Sequence, residues 1–191
     1  MKEITQEILA LFRRFGDLSY GEDCTVLAHS VQSGLIARDK GLDAALILAA
    51  FLHDLGHLLP LLDGTEQAQM GAFGMQSHET IAADWLTQKG FDERITSPIR
   101  YHVDAKRYLC SVEAAYWEHL SLPSRETLHM QGGSMTEAEV MDFEALPLHE
   151  ECVLIRQIDD EAKAENFTVL PEHLQYFEDL LNTYLIESGA N

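Results

Sequence analysis

Residues 51–59 read FLHDLGHLL, an apolar run that carries His53 and Asp54 side by side and a second histidine, His57, four residues after the first. Upstream, Asp43 stands before AALILAAFL in the position of a helix N-cap, so the spacing predicts one apolar helix over 43–58. Such a helix buries its ionisable groups, and that is costly unless they are paired or hold a metal. Adjacent residues on a helix point about 100° apart, so His53 and Asp54 meet one ion together only if the helix lies edge-on to it. In that geometry the Asp54 carboxylate is able to bridge two ions.

Helical spacing recurs along the rest of the chain and alternating strand patterns are scarce. The reading is all-α, a helical bundle with helices near 2–15, 24–40, 43–58, 78–89, 92–102, 111–120, 136–145, 148–164 and 171–187. Gly41 and Gly90 sit where helix C-termini need a left-handed residue. Residues 59–76 and 121–136 contain Pro60, Pro123 and several glycines and are predicted to be long loops, a class that often forms lids or binding walls. No repeat or linker divides the chain, so residues 1–191 are expected to form a single domain.

A chain of 191 residues with 46% hydrophobic content is large enough for one buried core. Cys24, Cys110 and Cys152 are odd in number and far apart, which argues against a disulfide framework and against a thiolate zinc site. The expectation is a soluble, unprocessed protein of a reducing cytoplasm with no membrane span. A formal charge of −19 without a basic stripe disfavours nucleic acid and anionic lipid as partners. A small anion is still admissible, because surface charge is screened over about 8 Å at physiological salt while a buried metal acts at contact distance.

His29, His53, His78 and His102 fall on four predicted helices at intervals of 24, 25 and 24 residues, and Asp159 lies on another. Helices of a bundle bring such residues together from distant positions, as in carboxylate-bridged metal proteins. Imidazoles and carboxylates without thiolate suit iron, manganese, zinc, cobalt or nickel and disfavour copper(I). A single histidine on an apolar helix is more often a hydrogen-bonded core residue, which is the reading for His119, His129, His149 and His173. Five helices each burying an ionisable group without cause is a much weaker explanation for the larger set.

The order H…HD…H…H…D, centred on HDLGH at 53–57, resembles the HD-domain superfamily of helical metal-dependent proteins. Most members are phosphohydrolases, and a smaller branch holds a mixed-valent di-iron pair that activates O₂. YGED at 20–23, HVDAKRYL at 102–109, SRETLHMQGG at 124–133 and IRQIDDEAK at 155–163 resemble the phosphonate-cleaving oxygenases of that branch. Among these, the nearest likeness is to enzymes acting on (R)-1-hydroxy-2-(trimethylammonio)ethylphosphonate, giving glycine betaine and phosphate. The alternatives are enzymes acting on 2-amino-1-hydroxyethylphosphonate, giving glycine and phosphate, and an HD-type phosphohydrolase.

The resemblance implies an Fe(II)/Fe(III) pair with O₂ as co-substrate and a small anionic or zwitterionic phosphonate as partner. His29, His53, Asp54 and Asp159 would hold one iron, and Asp54, His78 and His102 the other. The pair, less two aspartates and a bridging hydroxide, keeps about two positive charges for the phosphonate to neutralise. Asp54, His57 and Lys106 are the expected catalytic set. His57, one turn after His53, would sit just outside the metal shell, donating to a phosphonate oxygen or to the bridge. Lys106 lies one turn beyond His102 if that helix continues. Arg156, three residues before Asp159, offers a guanidinium fork to the phosphonate, or else pairs with an acidic neighbour. Ser124 and Gln131 are expected to complete the phosphonate or hydroxyl contacts, with N-capping as the alternative for Ser124. Tyr20 and Glu22 belong to a loop that closes over the iron in the enzymes resembled; Tyr20, Glu22, Asp63 and Phe73 are candidates for a trimethylammonium head.

Overall fold

The computed structural model describes residues 2–19, 24–63 and 76–189. The expectations for Tyr20, Glu22 and Phe73, and for the side chain of Asp63, therefore lie outside what is described. Within the described residues the architecture is all-α, as the periodicity predicts. The helices are α1 (Lys2–Phe15), α2 (Val26–Asp39), α3 (Ala44–Leu52), α4 (Pro60–Asp63), α5 (His78–Gln88) and α6 (Glu93–Val112). After these come α7 (Tyr116–His119), α8 (Leu122–Met130), α9 (Glu137–Glu144), α10 (His149–Glu161) and α11 (Pro171–Glu187).

The centre is α3, which is buried along its length and lies among α2, α6, α10 and α11. Its start is as read from the sequence: the Asp43 side chain accepts from the backbone N–H groups of Ala45 and Leu46. Phe51 stacks on Phe177 of α11 with ring centroids 4.0 Å apart. The Phe177 ring lies against Gly34 of α2, where a methyl group would overlap it. One apolar cluster thus runs from Ile8 in α1 to Leu185 in α11. The far face of α6 carries a smaller cluster, with Ala105 packed with Phe143 of α9 and Cys152 of α10.

Several element boundaries differ from the sequence reading, among them the predicted loop 59–76, which contains α4, and the helix expected over 111–120, which is reduced to α7 (Tyr116–His119). The helix expected over 43–58 stops at Leu52, and a 3₁₀ turn follows at Leu55–His57. The helix expected to end at His102 continues to Val112, which places Lys106 and His102 on one face. The predicted loop 121–136 contains α8, whose N-cap is Ser121 and not Ser124.

The 3₁₀ turn packs directly against the start of α5, where a Cβ on Gly56 would overlap the backbone carbonyl of His78. Backbone cannot rotate away as a side chain can, so Gly56→Ala is expected to destabilise the chain by about 3 kcal/mol. It should also displace His78 and so weaken metal retention, both readable from thermal unfolding and metal content.

Candidate functional site

Each predicted ligand sits at or near a helix end or on the inner face of a packed helix. His29 comes from α2, His53 from the C-cap of α3, Asp54 and His57 from the turn, His78 from the first position of α5, His102 from α6 and Asp159 from α10. All seven are at most 8% exposed. Because α3 ends at Leu52 and Asp54 has φ −98° and ψ 6°, the 100° helical offset between His53 and Asp54 no longer holds and both turn to one centre.

The Asp54 carboxylate divides the cluster. Its Oδ2 lies 3.6 Å from His29 Nε2 and 3.4 Å from His53 Nε2. On this side Asp159 Oδ1 is 3.2 Å from His29 Nε2 and 3.9 Å from His53 Nε2. Its Oδ1 faces the other way, 3.3 Å from His78 Nε2, 3.8 Å from His57 Nε2 and 4.0 Å from His102 Nε2. Ligand atoms of His29, His53 and Asp159, and those of Asp54, His57 and His78, each lie within 4.8 Å of one another. His57 therefore stands level with His102 around Asp54, where the sequence reading put it outside the shell, and its ring stacks on His78 at 4.0 Å.

The proton arrangement supports a cationic occupant on each side. Nδ1 of His29, His53 and His102 lies 2.9, 2.8 and 2.7 Å from the carbonyl oxygens of Ala162, Ala50 and Ile99. A carbonyl only accepts, so each Nδ1 donates and each neutral ring presents a bare lone pair at Nε2. Those atoms come within 3.2 Å of each other in His29–His53, and His102 Nε2 lies 3.1 Å from His78 Nε2. Lone pairs do not hold such distances unaided, whereas a cation between them and the Asp54 oxygens is coordinated by all. The donor set therefore fits a metal on each side of Asp54, with tautomers fixed by outer hydrogen bonds as metal-binding histidines require. Glu79 Oε2, buried and with no hydrogen-bond partner among the described residues, lies 3.5 Å from His78 Nδ1 and does not figure in the sequence reading.

Electrostatics agree. Burial alone would raise the Asp54 and Asp159 carboxyls, but His53 beside the first and Arg156 beside the second hold both well below the usual range. Burial, then the neighbouring His78, pushes His57 and His102 well down, keeping them neutral. Burial also disfavours the His29 imidazolium, yet Asp159, Cys24 and Asp54 outweigh it and raise the group. Ionised carboxylates and neutral imidazoles at His57 and His102 are the states a metal needs, whereas His29 holds a proton against Asp159, 3.2 Å away, that a bound cation would displace.

A cavity of about 70 Å³ opens on this cluster, and its lining also includes three cationic side chains, Lys106, Arg156 and Lys163, with Ser124, Thr127 and Gln131. Lys106 is 3% exposed, not a solvated surface lysine, and its Nζ donates to Thr127 Oγ1 at 2.9 Å. The Arg156 fork, expected to face a phosphonate, is largely taken: Nη1 donates to Asp159 at 2.7 Å, and Nη2 and Nε pair with Asp160. Arg156 thus pairs with its acidic neighbours, the alternative read from the sequence, and also lines the cavity. Gln131 Oε1 is buried on the cavity wall and accepts from no donor among the described residues. Lys163 and Thr127 were not singled out from the sequence. Lys163 lies within the helix read over 148–164, in the acidic run DDEAK, and Thr127 within the segment read as a loop.

The HD domain family matches residues 26–164. A hydroxymethylphosphonate dioxygenase from Gimesia maris is 39% identical over 174 residues, covering 91% of this chain and 85% of its own length. A [1-hydroxy-2-(trimethylamino)ethyl]phosphonate dioxygenase (glycine-betaine-forming) from Leisingera caerulea is 36% identical over 166 residues, 84% of this chain and 80% of that one. The chain belongs to the HD-domain phosphonate dioxygenases. An uncharacterized protein of Acanthamoeba polyphaga mimivirus, 39% identical over 195 residues and covering all of this chain, is a further relative. As a member of this dioxygenase family the chain is an oxygenase that uses metal and takes a small-molecule substrate, so the phosphohydrolase alternative gives way. No described helix is long and apolar enough to cross a membrane.

Proposed function

We propose that the chain uses O₂ to split the C–P bond of a 1-hydroxyphosphonate, releasing phosphate and the carboxylate made from C1. The observation that carries this reading is one cavity lined both by a converging His/Asp cluster and by three cationic side chains. That arrangement suits a substrate whose hydroxyl meets the metals while its phosphonate meets the cations. The reaction balances with O₂ as sole oxidant. The substrate and O₂ contain together the atoms of a carboxylate, hydrogen phosphate and one proton, and no external reductant is called for.

In this reading His29, His53, Asp54 and Asp159 would hold one iron, and Asp54, His78 and His102 the other. Bound there, the irons would supply the one-electron chemistry that the use of O₂ requires. The side chains supply position, charge and dryness. Lys106, steadied by Thr127, and Ser124 bind phosphonate oxygens, and Arg156, fixed by Asp159 and Asp160, presents what remains of its fork. His57, kept neutral by burial and by His78, offers a hydrogen bond to the phosphonate or the bridge. Gln131 offers its unpartnered carbonyl to the C1 hydroxyl.

The resemblance of the whole chain supports the trimethylammonio substrate as first choice, with the 2-amino compound as its close alternative and one domain over residues 1–191. One observation favours a second reading, hydroxymethylphosphonate, which has only hydrogen at the position of the ammonium-bearing carbon. Among the described residues the cavity lining includes no Phe, Tyr or Trp ring and no carboxylate beyond Asp54 and Asp159, and besides Ser124, Thr127 and Gln131 its neutral, non-imidazole part is Cys24, Thr25, Val26, Val103 and Pro123. An ammonium head wants aromatic faces or carboxylates.

The test is to incubate the iron-loaded chain with each of the three phosphonates, in air and under argon, and follow O₂ and phosphate. One phosphate per O₂ consumed, and none under argon, is expected for at least one of them. Equal release without oxygen would make the enzyme a hydrolase and end this reading.

A further inference from the structure

We propose that Lys163 is a positioning residue for the anion pocket: it fixes the Ser124 hydroxyl so that its hydrogen points into the cavity. The inference rests on the phosphonate-binding reading above and adds to it a residue and a role. Lys163 stands just past the C-cap of α10, and its side chain is 19% exposed. Its Nζ donates to Ser124 Oγ at 3.1 Å and to Ser121 Oγ at 3.1 Å, and lies 3.8 Å from Asp160 Oδ1. Arg156 Nη2 also approaches Ser124 Oγ, at 3.5 Å.

Ammonium and guanidinium groups donate and never accept, whereas a hydroxyl has two acceptor lone pairs and one hydrogen. With both lone pairs directed at cations, the Ser124 hydrogen has to go elsewhere. Ser124 Oγ donates to no group among the described residues, and the residue lines the cavity. The hydroxyl is therefore left as a donor aimed at an anion, and polarised by two neighbouring charges. Ser121, the N-cap of α8, gives Lys163 a second anchor, so the ammonium ties the start of α8 to the end of α10.

The experiment measures the dissociation constant of inorganic phosphate, and the KM and kcat of the best phosphonate, for wild type, Lys163→Met, Ser124→Ala, the double variant and Lys163→Arg. Lys163→Met is expected to weaken phosphate binding about tenfold or more and to raise KM by more than it lowers kcat. In the Ser124→Ala background the same change should cost less than about threefold, because the hydroxyl it aligns is gone. Lys163→Arg should restore most of the loss. Equal, additive losses in both backgrounds would show that Lys163 does not work through Ser124, and unchanged phosphate binding in Lys163→Met would overturn the proposal outright. Phosphate binding is measured without turnover. A chain that couples Lys163 to Ser124 in phosphate affinity, yet oxidises none of the phosphonates, would keep this inference and sink the functional reading; the reverse pattern would do the opposite.

Discussion

Asp54→Ala is expected to lose both metals and essentially all turnover while the helical signal in circular dichroism persists. Asp54 is the one residue whose two carboxylate oxygens face different halves of the cluster, Oδ2 toward His29 and His53 and Oδ1 toward His57, His78 and His102. Loss of an outer partner of a metal ligand typically costs 10- to 100-fold in affinity or activity, so loss of a shared ligand should exceed about a hundredfold. The turn that carries Asp54 is held by backbone contacts, His57 N–H to Asp54 C=O at 3.0 Å and Leu58 N–H to Leu55 C=O at 3.0 Å, which alanine retains. Metal analysis and O₂ uptake read the outcome. Full metal content or surviving turnover in Asp54→Ala would refute its bridging role.

Lys106→Met should stabilise the chain and disable it at once. Burial, aided by the nearby Arg156, pulls the Lys106 ammonium from its ordinary 10.5 down to about 7. For a base whose folded value is depressed, the penalty is present in full below the folded value and fades as pH climbs toward the unfolded one. The window here is pH 7 to 10.5. At about 1.4 kcal/mol per unit the full penalty is roughly 5 kcal/mol, offset by roughly 1 kcal/mol for the hydrogen bond to Thr127. The variant should melt several degrees above wild type at pH 6, with the gap closing by pH 10. Its phosphonate turnover should fall by more than about a hundredfold, since a buried charge meant for the substrate is lost. A lower melting temperature at pH 6, or unchanged KM, would show that Lys106 is part of the scaffold and not of the substrate site.

What could be read from the sequence, and what could not, divides along physical lines. The convergence of the His/Asp cluster was legible because buried imidazoles and carboxylates on separate helices have no cheap structural explanation. The Asp43 cap and the Gly41 and Gly90 stops were legible because their chemistry is local; both glycines have positive φ, 75° and 90°. The break after Leu52 was not, since a segment buried on all sides shows no periodicity to interrupt. Pro123 and the Gly132–Gly133 pair were taken as marks of a loop. They are instead the two ends of α8, with the proline in the first turn, where an N–H is dispensable, and the glycines just past the end with φ 103° and 74°. Lys163 was hidden in the acidic run DDEAK, where a lone lysine reads as a solvated charge.

The central claim is that one carboxylate, Asp54, sits between two metal ions. Anomalous X-ray diffraction from crystals of the iron-loaded protein tests it most directly. Two peaks are expected, one among His29, His53 and Asp159 and one beside His78 and His102, with an Asp54 oxygen bound to each. A single peak, or two that do not share Asp54, would contradict the account.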